Sequence, residues 1–108
     1  MIIAAIDFTE VSLDVARLAA RIARRFGDKL ILVHAVEHLG SAYGGALPFA
    51  MDLPPLIDAG WEAMRRLQST LVNESVSVEI EARVVVGEPN RAIEDIANEK
   101  GARLIVAG

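Results

Sequence analysis

The sequence predicts an α/β fold built as a doubly wound parallel sheet. Two observations carry this prediction: short apolar runs recur along the chain, and stretches with helical spacing separate them. Ile2–Ile6 and Leu30–Val36 are nearly unbroken apolar runs, which is typical of strands buried on both faces of a parallel sheet. The order is β-α-β-loop-α-β-α-β, and right-handed crossovers between parallel strands then place helices on both faces.

The first helix is predicted from an apolar stripe that begins at Val15. Its members recur at helical spacing and are expected to be buried together: Val15, Leu18, Ala19, Ile22 and Phe26. Gly27 follows the stripe and supplies the left-handed residue at which many helices end. Ahead of the stripe, Thr9 and Ser12 are interpreted first as helix caps, because a side-chain oxygen there can satisfy free amide groups.

In the middle of the chain, the apolar residues no longer recur at a regular spacing. Residues 37–55 are rich in glycine and proline, so we expect a long loop of the kind that is usually functional or mobile. Helical spacing returns over Leu56–Val72, which predicts the second helix. Gly60 lies inside that helix, where glycine is tolerated at a cost of about 1 kcal/mol.

The last third of the chain predicts strand, helix and strand again. Val76–Val86 alternates with a period of two, which indicates a strand near an edge of the sheet. Residues 87–90 form a turn into the third helix, and Gly101 ends that helix. The apolar run Ala102–Ala107 is the predicted fourth strand.

Composition excludes several classes of protein. A length of 108 residues predicts a single domain, 1–108, and a hydrophobic fraction of 53% indicates a well-filled core. No apolar run reaches the roughly 18 residues of a membrane span, and no signal-like segment is seen, so we expect a cytoplasmic protein without a membrane partner. A net charge of −4 argues against binding to nucleic-acid phosphates. The absence of cysteine excludes disulfides, thiolate catalysis and zinc sites of the cysteine type.

Asp7 is the strongest candidate for a functional residue. It directly follows the first apolar run, and ligands of open α/β sheets bind in the crevice beyond the carboxyl ends of the strands. We therefore expect Asp7 to contact a ligand; the alternative is that it accepts hydrogen bonds only from its own turn. His34 lies within an apolar strand and is interpreted as a core histidine with satisfied polar atoms. No motif of hydrolytic catalysis is present, so no catalytic or metal-binding residue is predicted.

Four blocks of sequence resemble the universal stress protein family. They are D-F-T-E-x-S after the first strand, L-I-L-V-H-A-V as the second strand, V-V-V-G-E-P-x-x-x-I before the third helix, and A-R-L-I-V-A-G at the end. The resemblance covers the whole chain in the family's order and spacing. It implies a Rossmann-like fold of the adenine nucleotide alpha hydrolase-like type, with strand order 3-2-1-4-5, in proteins that are usually homodimers.

The resemblance also implies a nucleotide site, which one subclass of the family carries. By position, that site falls on six residues: Ala5, Ile6, Asp7, Ala35, Ala107 and Gly108. The cofactor would be ATP or AMP, with Mg²⁺ accompanying ATP. The subclass has a phosphate-binding sequence, G-x2-G-x9-G-[ST], of which only the first glycine, Gly108, is present here. We therefore expect the chain to be incomplete at its C-terminus, without the rest of that motif and without a fifth strand.

These observations lead to one functional hypothesis and two alternatives. The hypothesis is a stress-response module that binds an adenine nucleotide and acts through dimerisation and unidentified protein partners. The first alternative is an interaction protein of the same fold that binds no nucleotide. The second is a nucleotide-hydrolysing or adenylating enzyme, although the sequence contains no catalytic motif that would support this alternative.

Overall fold

The computed structural model describes residues 1–37, 53–74 and 77–108. Within those residues the chain forms one parallel sheet with helices on both faces. In chain order the elements are β1 (Ile2–Ala5), α1 (Ser12–Phe26), β2 (Leu30–Val36), α2 (Leu53–Asn73), β3 (Ile80–Val86), α3 (Pro89–Lys100) and β4 (Leu104–Val106).

The strand order β3-β2-β1-β4 confirms the predicted order 3-2-1-4. Neighbouring strands are parallel, and Ile2 of β1 lies opposite Leu30 on one side and Leu104 on the other. The chain adds β2 and β3 on one side of β1 and then crosses to place β4 on the other side. The sheet therefore has its switch point between β1 and β4, where open α/β sheets leave a crevice beyond the strand ends.

The helices cover the two faces of the sheet as a doubly wound fold requires. Helices α1 and α2 pack on the face that carries Ile2 and Leu30, whereas α3 packs through Ile96 on the face of Ile3 and Ile31. The first three residues of β1 and the first half of β2 are fully buried because a helix lies over each face. β3 forms one edge of the sheet, as predicted, although its first six side chains are all partly buried and do not alternate between buried and exposed.

Helix α1 packs through small side chains, and the predicted stripe is wrong at two positions. Leu18 and Phe26 are 49% and 53% exposed. The buried residues lie on a different line along the helix: Ser12, Val15, Ala16, Ala19, Ala20 and Ala23. The alanines let the helix lie close to the sheet, so Leu18 falls on its flank. The ring of Phe26 instead packs beneath the guanidinium of Arg103, 4.7 Å from the ring centroid.

Gly60 has a packing role that the sequence did not reveal. A Cβ at this position would lie 3.3 Å from Cδ2 of His34 and 3.3 Å from Cγ1 of Val84, and both distances are shorter than most Cβ contacts in proteins. Glycine therefore allows α2 to lie close to β2 and β3. Met64 and Leu71 of the same helix are fully buried.

The ends of two helices follow the predicted pattern. Gly27 and Gly101 come directly after α1 and α3 with φ of 64°, a conformation in which a Cβ would be strained.

The predicted loop over residues 37–55 falls largely on residues 38–52, which lie outside the described residues. In the described ranges, no helix combines the length and the apolar character needed to cross a membrane.

Substituting Met64→Ala should lower the free energy of unfolding by about 2–4 kcal/mol, because it leaves a cavity among fully buried side chains. Val72→Ala on the same helix should change it by less than about 0.5 kcal/mol, because Val72 is largely exposed. Urea unfolding followed by circular dichroism measures both values. Equal effects at the two positions would contradict the packing described for α2.

Candidate functional site

A cavity of about 590 Å³ opens beyond the carboxyl ends of β1, β2 and β4. Its volume lies in the range of small-molecule and cofactor sites. The strand ends form its floor, and the first two turns of α3 form one wall. The lining residues are Ala5, Ile6, Asp7, Val33, His34, Ala35, Glu37, Pro89, Asn90, Ile93, Glu94, Ile105, Ala107 and Gly108.

The cavity exists because side chains become smaller towards the strand ends. Successive residues of a strand point to opposite faces, so residues two apart share a face. On the face covered by α3, β1 and β2 carry Ile3 and Ile31 deep in the sheet. The same face carries Ala5 and Ala35 nearer the carboxyl ends, and Ala107 just beyond β4. These short side chains leave a space at the strand ends, whereas isoleucines fill the corresponding space deeper in the sheet.

Asp7 lies at the exposed rim of the cavity, and its own turn fixes its carboxylate. Oδ1 accepts hydrogen bonds from the backbone N–H of Thr9 (3.0 Å), from Oγ1 of Thr9 (2.7 Å) and from Oγ of Ser12 (2.9 Å). These donors, the Thr9 hydroxyl first, hold the pKa of Asp7 below its ordinary value, because they stabilise the ionised form. Asp7 thus presents an oriented negative charge to the cavity.

Thr9 and Ser12 do not cap α1, so that prediction is wrong. The N-cap position is Val11, and no side chain there bonds to the amides of the first turn. The two hydroxyls donate to Asp7 instead, because a hydrogen bond to an ionised acceptor is stronger than one between neutral groups. Their role is to position the carboxylate. Asp7 therefore does accept hydrogen bonds from its own turn, and its contact with a ligand stays a prediction.

The turn that follows β1 also contains a strained residue. Phe8 has φ of 59°, a left-handed conformation that is rare for a bulky side chain. Its ring packs against that of His34, with the centroids 4.4 Å apart. Nδ1 of His34 lies 2.7 Å from the carbonyl oxygen of Ile6, and it must carry the proton because a carbonyl can only accept. His34 is thus a half-buried, hydrogen-bonded histidine that supports the turn, in agreement with its interpretation as a core residue.

Glu88 occupies the N-terminus of α3 beside the cavity. Its carboxylate accepts hydrogen bonds from the backbone N–H groups of Asn90 (3.1 Å) and Arg91 (3.0 Å). Its carbonyl oxygen accepts a third bond, from the N–H of Ala92 (2.9 Å). Pro89 has no N–H to offer. The amides that make a helix N-terminus attractive to anions are therefore already used by the chain's own carboxylate.

The structure brings together every residue that the resemblance placed in a nucleotide site. The six come from three strand ends and line the same cavity: Ala5, Ile6, Asp7, Ala35, Ala107 and Gly108. Whether they bind a nucleotide stays a prediction. Sequence reasoning missed Glu37 and Glu94 as lining residues. Glu37 lies two residues after Ala35 on the same face, and Glu94 lies one helical turn after Asn90, so both spacings could have indicated them.

The fold and the cavity together define a doubly wound α/β protein with a ligand-sized site at the switch point of its sheet. A family model described as the universal stress protein family matches residues 1–108. The chain belongs to the universal stress protein family. None of the curated proteins matches the chain.

Solved structures of universal stress proteins are similar to this chain over nearly its whole length. One from Archaeoglobus fulgidus is 27% identical with a TM-score of 0.74, and the match covers 99% of this chain and 74% of that one. A family protein from Burkholderia pseudomallei is 24% identical with a TM-score of 0.74, covering 99% and 80%. A universal stress protein in complex with cAMP is 23% identical with a TM-score of 0.72, covering 97% and 73%. These similarities support a universal stress protein fold.

A titration followed by NMR should give Asp7 a pKa below that of an unfolded aspartate, about 3.9. Combining Thr9→Val with Ser12→Ala should raise this pKa, because both hydroxyl donors to Oδ1 are removed. A pKa lowered by folding means that Asp7 stabilises the fold above the unfolded pKa, and that this stabilisation is lost as the pH falls through the folded pKa. A measured pKa at or above the unfolded value would contradict the hydrogen bonding described.

Proposed function

We propose that this chain binds an adenine nucleotide, with ATP and AMP as the expected ligands, in the cavity beyond β1, β2 and β4. The observation that carries the proposal is convergence. Six positions that correspond to the family's nucleotide site come from three separate segments of the chain but line one cavity of about 590 Å³. A universal stress protein of the same fold has been solved in complex with cAMP, which is itself an adenine nucleotide.

The parts of the cavity suit different parts of such a ligand. Ile93 and Ile105 offer an apolar surface to the base. Asp7 is ionised and oriented in advance, so it can accept hydrogen bonds from the ribose hydroxyls without first paying to order its side chain. Among the described residues, no group of three or more His, Asp or Glu side chains could hold a metal ion.

In this proposal the nucleotide regulates the protein rather than undergoing a reaction. A bound ligand shifts a conformational equilibrium only to the extent that it binds one state more tightly than the other. The walls of the cavity come from β1, β2, β4 and α3, so a ligand that contacts all of them favours the arrangement in which they are close together. A protein partner that recognises this arrangement would then bind more tightly to the loaded form.

Titration calorimetry with AMP and ATP tests nucleotide binding directly. Asp7→Ala should weaken binding about tenfold, because it removes an acceptor of charge-assisted hydrogen bonds. Asp95→Ala is the matched control: Asp95 is an exposed carboxylate on α3 outside the cavity lining, and its removal should leave the affinity unchanged.

An absence of binding at millimolar nucleotide, with the protein folded, would overturn the proposal. The chain would then be better described by the alternative function, a stress-response interaction protein that binds no nucleotide. Equal affinities for the wild type and Asp7→Ala would remove Asp7 from the site but leave nucleotide binding in place.

We propose further that the protein works as a homodimer. The proposal rests on membership of the universal stress protein family, because the resemblance to that family implies proteins that are usually homodimers.

Sedimentation equilibrium should therefore give twice the mass of one chain. A wild-type protein that stays monomeric up to millimolar concentration would contradict dimerisation without affecting the nucleotide proposal.

A further inference from the structure

We propose that His34 is a positioning residue for the ligand site: its Nδ1–H holds the carbonyl oxygen of Ile6 and so fixes the peptide unit that carries Asp7. The inference rests on the proposed nucleotide binding and adds the residue on which the orientation of Asp7 depends. It predicts that the affinity for AMP requires a hydrogen-bond donor at position 34, and requires it only while the carboxylate of Asp7 is present.

The first observation is that a side chain of β2 holds the end of β1 at the point where backbone pairing stops. The last residue pair between the two strands is Ala5 with Val33. The next residue, Ile6, still donates its backbone N–H to the carbonyl oxygen of Val33 (2.8 Å). Its own carbonyl oxygen accepts a hydrogen bond from Nδ1 of His34 (2.7 Å). Consecutive residues of β2 therefore bind both backbone groups of Ile6.

The carbonyl of Ile6 belongs to the same peptide unit as the backbone N–H of Asp7. A peptide unit is planar, so the oxygen of Ile6 and the Cα of Asp7 move together as parts of one rigid group. A donor that fixes this oxygen therefore restricts the directions in which the side chain of Asp7 can leave the backbone. The three hydrogen bonds that Oδ1 of Asp7 accepts from Thr9 and Ser12 depend on that direction.

The second observation is that the imidazole itself is held with Nδ1 facing Ile6. The ring of Phe8 packs against it, with the centroids 4.4 Å apart. Helix α2 closes another side, because Cδ2 of His34 would lie only 3.3 Å from a Cβ at Gly60. A half-buried ring with neighbours on two sides has little freedom to turn. Its donor is therefore in place before any ligand binds, which lowers the cost of ordering the site.

Two uncharged substitutions separate the donor from the rest of the side chain. His34→Asn keeps a nitrogen donor at the same number of bonds from the backbone as Nδ1, whereas His34→Phe keeps a ring and has no donor. In titration calorimetry on the whole chain, His34→Phe should weaken AMP binding about five- to tenfold, and His34→Asn about twofold or less. Equal losses in the two variants would overturn the role assigned to the donor.

A double-mutant cycle with Asp7→Ala distinguishes positioning from direct contact, since His34 also lines the cavity. If His34 acts through Asp7, His34→Phe should change the AMP affinity by less than about twofold once the carboxylate is gone. A five- to tenfold loss in both backgrounds would mean that the imidazole contacts the ligand itself, and it would overturn the inference.

Gln68→Met is the matched control for lost stability. Nε2 of Gln68 donates to the carbonyl oxygen of Ile80 (3.1 Å), so this side chain also holds a strand carbonyl, but it lies outside the cavity lining. The substitution should lower stability to urea, as His34→Phe does, and leave AMP binding unchanged. A loss of affinity equal to that of His34→Phe would show a general effect of stability and contradict positioning.

NMR on the free protein tests the hydrogen bond without any nucleotide. In the wild type, the nitrogen chemical shifts of the neutral imidazole should show the proton on Nδ1, and a proton on Nε2 instead would overturn the inference without a variant. The pKa of Asp7 should be higher in His34→Phe than in His34→Asn, because a displaced carboxylate loses the donors that lower it. Both variants are uncharged at position 34, so charge does not contribute to the difference, and equal values would contradict positioning.

The failure of this inference can be distinguished from the failure of the function on which it rests. A wild-type protein that binds no AMP, but shows the expected Nδ1 proton and the expected difference in the pKa of Asp7, would overturn nucleotide binding and leave the positioning of Asp7 intact. Tight AMP binding that is unaffected by His34→Phe would do the reverse.

Discussion

The parallel pairing of β1 with β2 on one side and β4 on the other is the constraint on which the molecule depends. Parallel strands end at the same edge of a sheet, so this pairing collects three strand ends in one place. Ile2 and Ile3, on opposite faces of β1, are both fully buried, so β1 forms the centre of the molecule. The register of its pairing directs Ala5 and Ala35 to the face of α3 and so creates the cavity.

The site combines a part that is ordered locally with a part that depends on the whole fold. Asp7 is held by Thr9 and Ser12, which lie within five residues of it in sequence. The strained backbone of Phe8 belongs to the same turn and is compensated by the packing of its ring on His34. The walls of the cavity, in contrast, come from elements far apart in the chain. The carboxylate is therefore oriented before any ligand arrives, whereas the shape around it depends on how α3 is docked.

Local patterns predicted the strands and the helix ends, because an apolar run or a terminal glycine is determined by neighbours in sequence. The strand order was predicted from the resemblance to the family. The buried face of α1 could not be predicted in this way. The sequence prediction placed the large apolar residues Leu18 and Phe26 on the buried face of the helix. Helix and sheet lie so close together, however, that the buried positions are occupied mostly by alanine. The hydroxyls of Thr9 and Ser12 can either cap a helix or donate to a carboxylate, and only the folded position of Asp7 decides between the two. The chain has 15 acidic residues, and which of them surround the cavity depends on tertiary contacts.

The close packing of α2 on β2 links Gly60 to the turn at the end of β1. Gly60 leaves room for the ring of His34, and that ring donates from Nδ1 to the carbonyl oxygen of Ile6, directly before Asp7. A methyl group at position 60 would press on the imidazole from the side of the sheet opposite the cavity. An alanine at position 60 would therefore require the imidazole or Val84 to shift by a few tenths of an ångström, so the packing of a distant helix is coupled to the turn that orients Asp7.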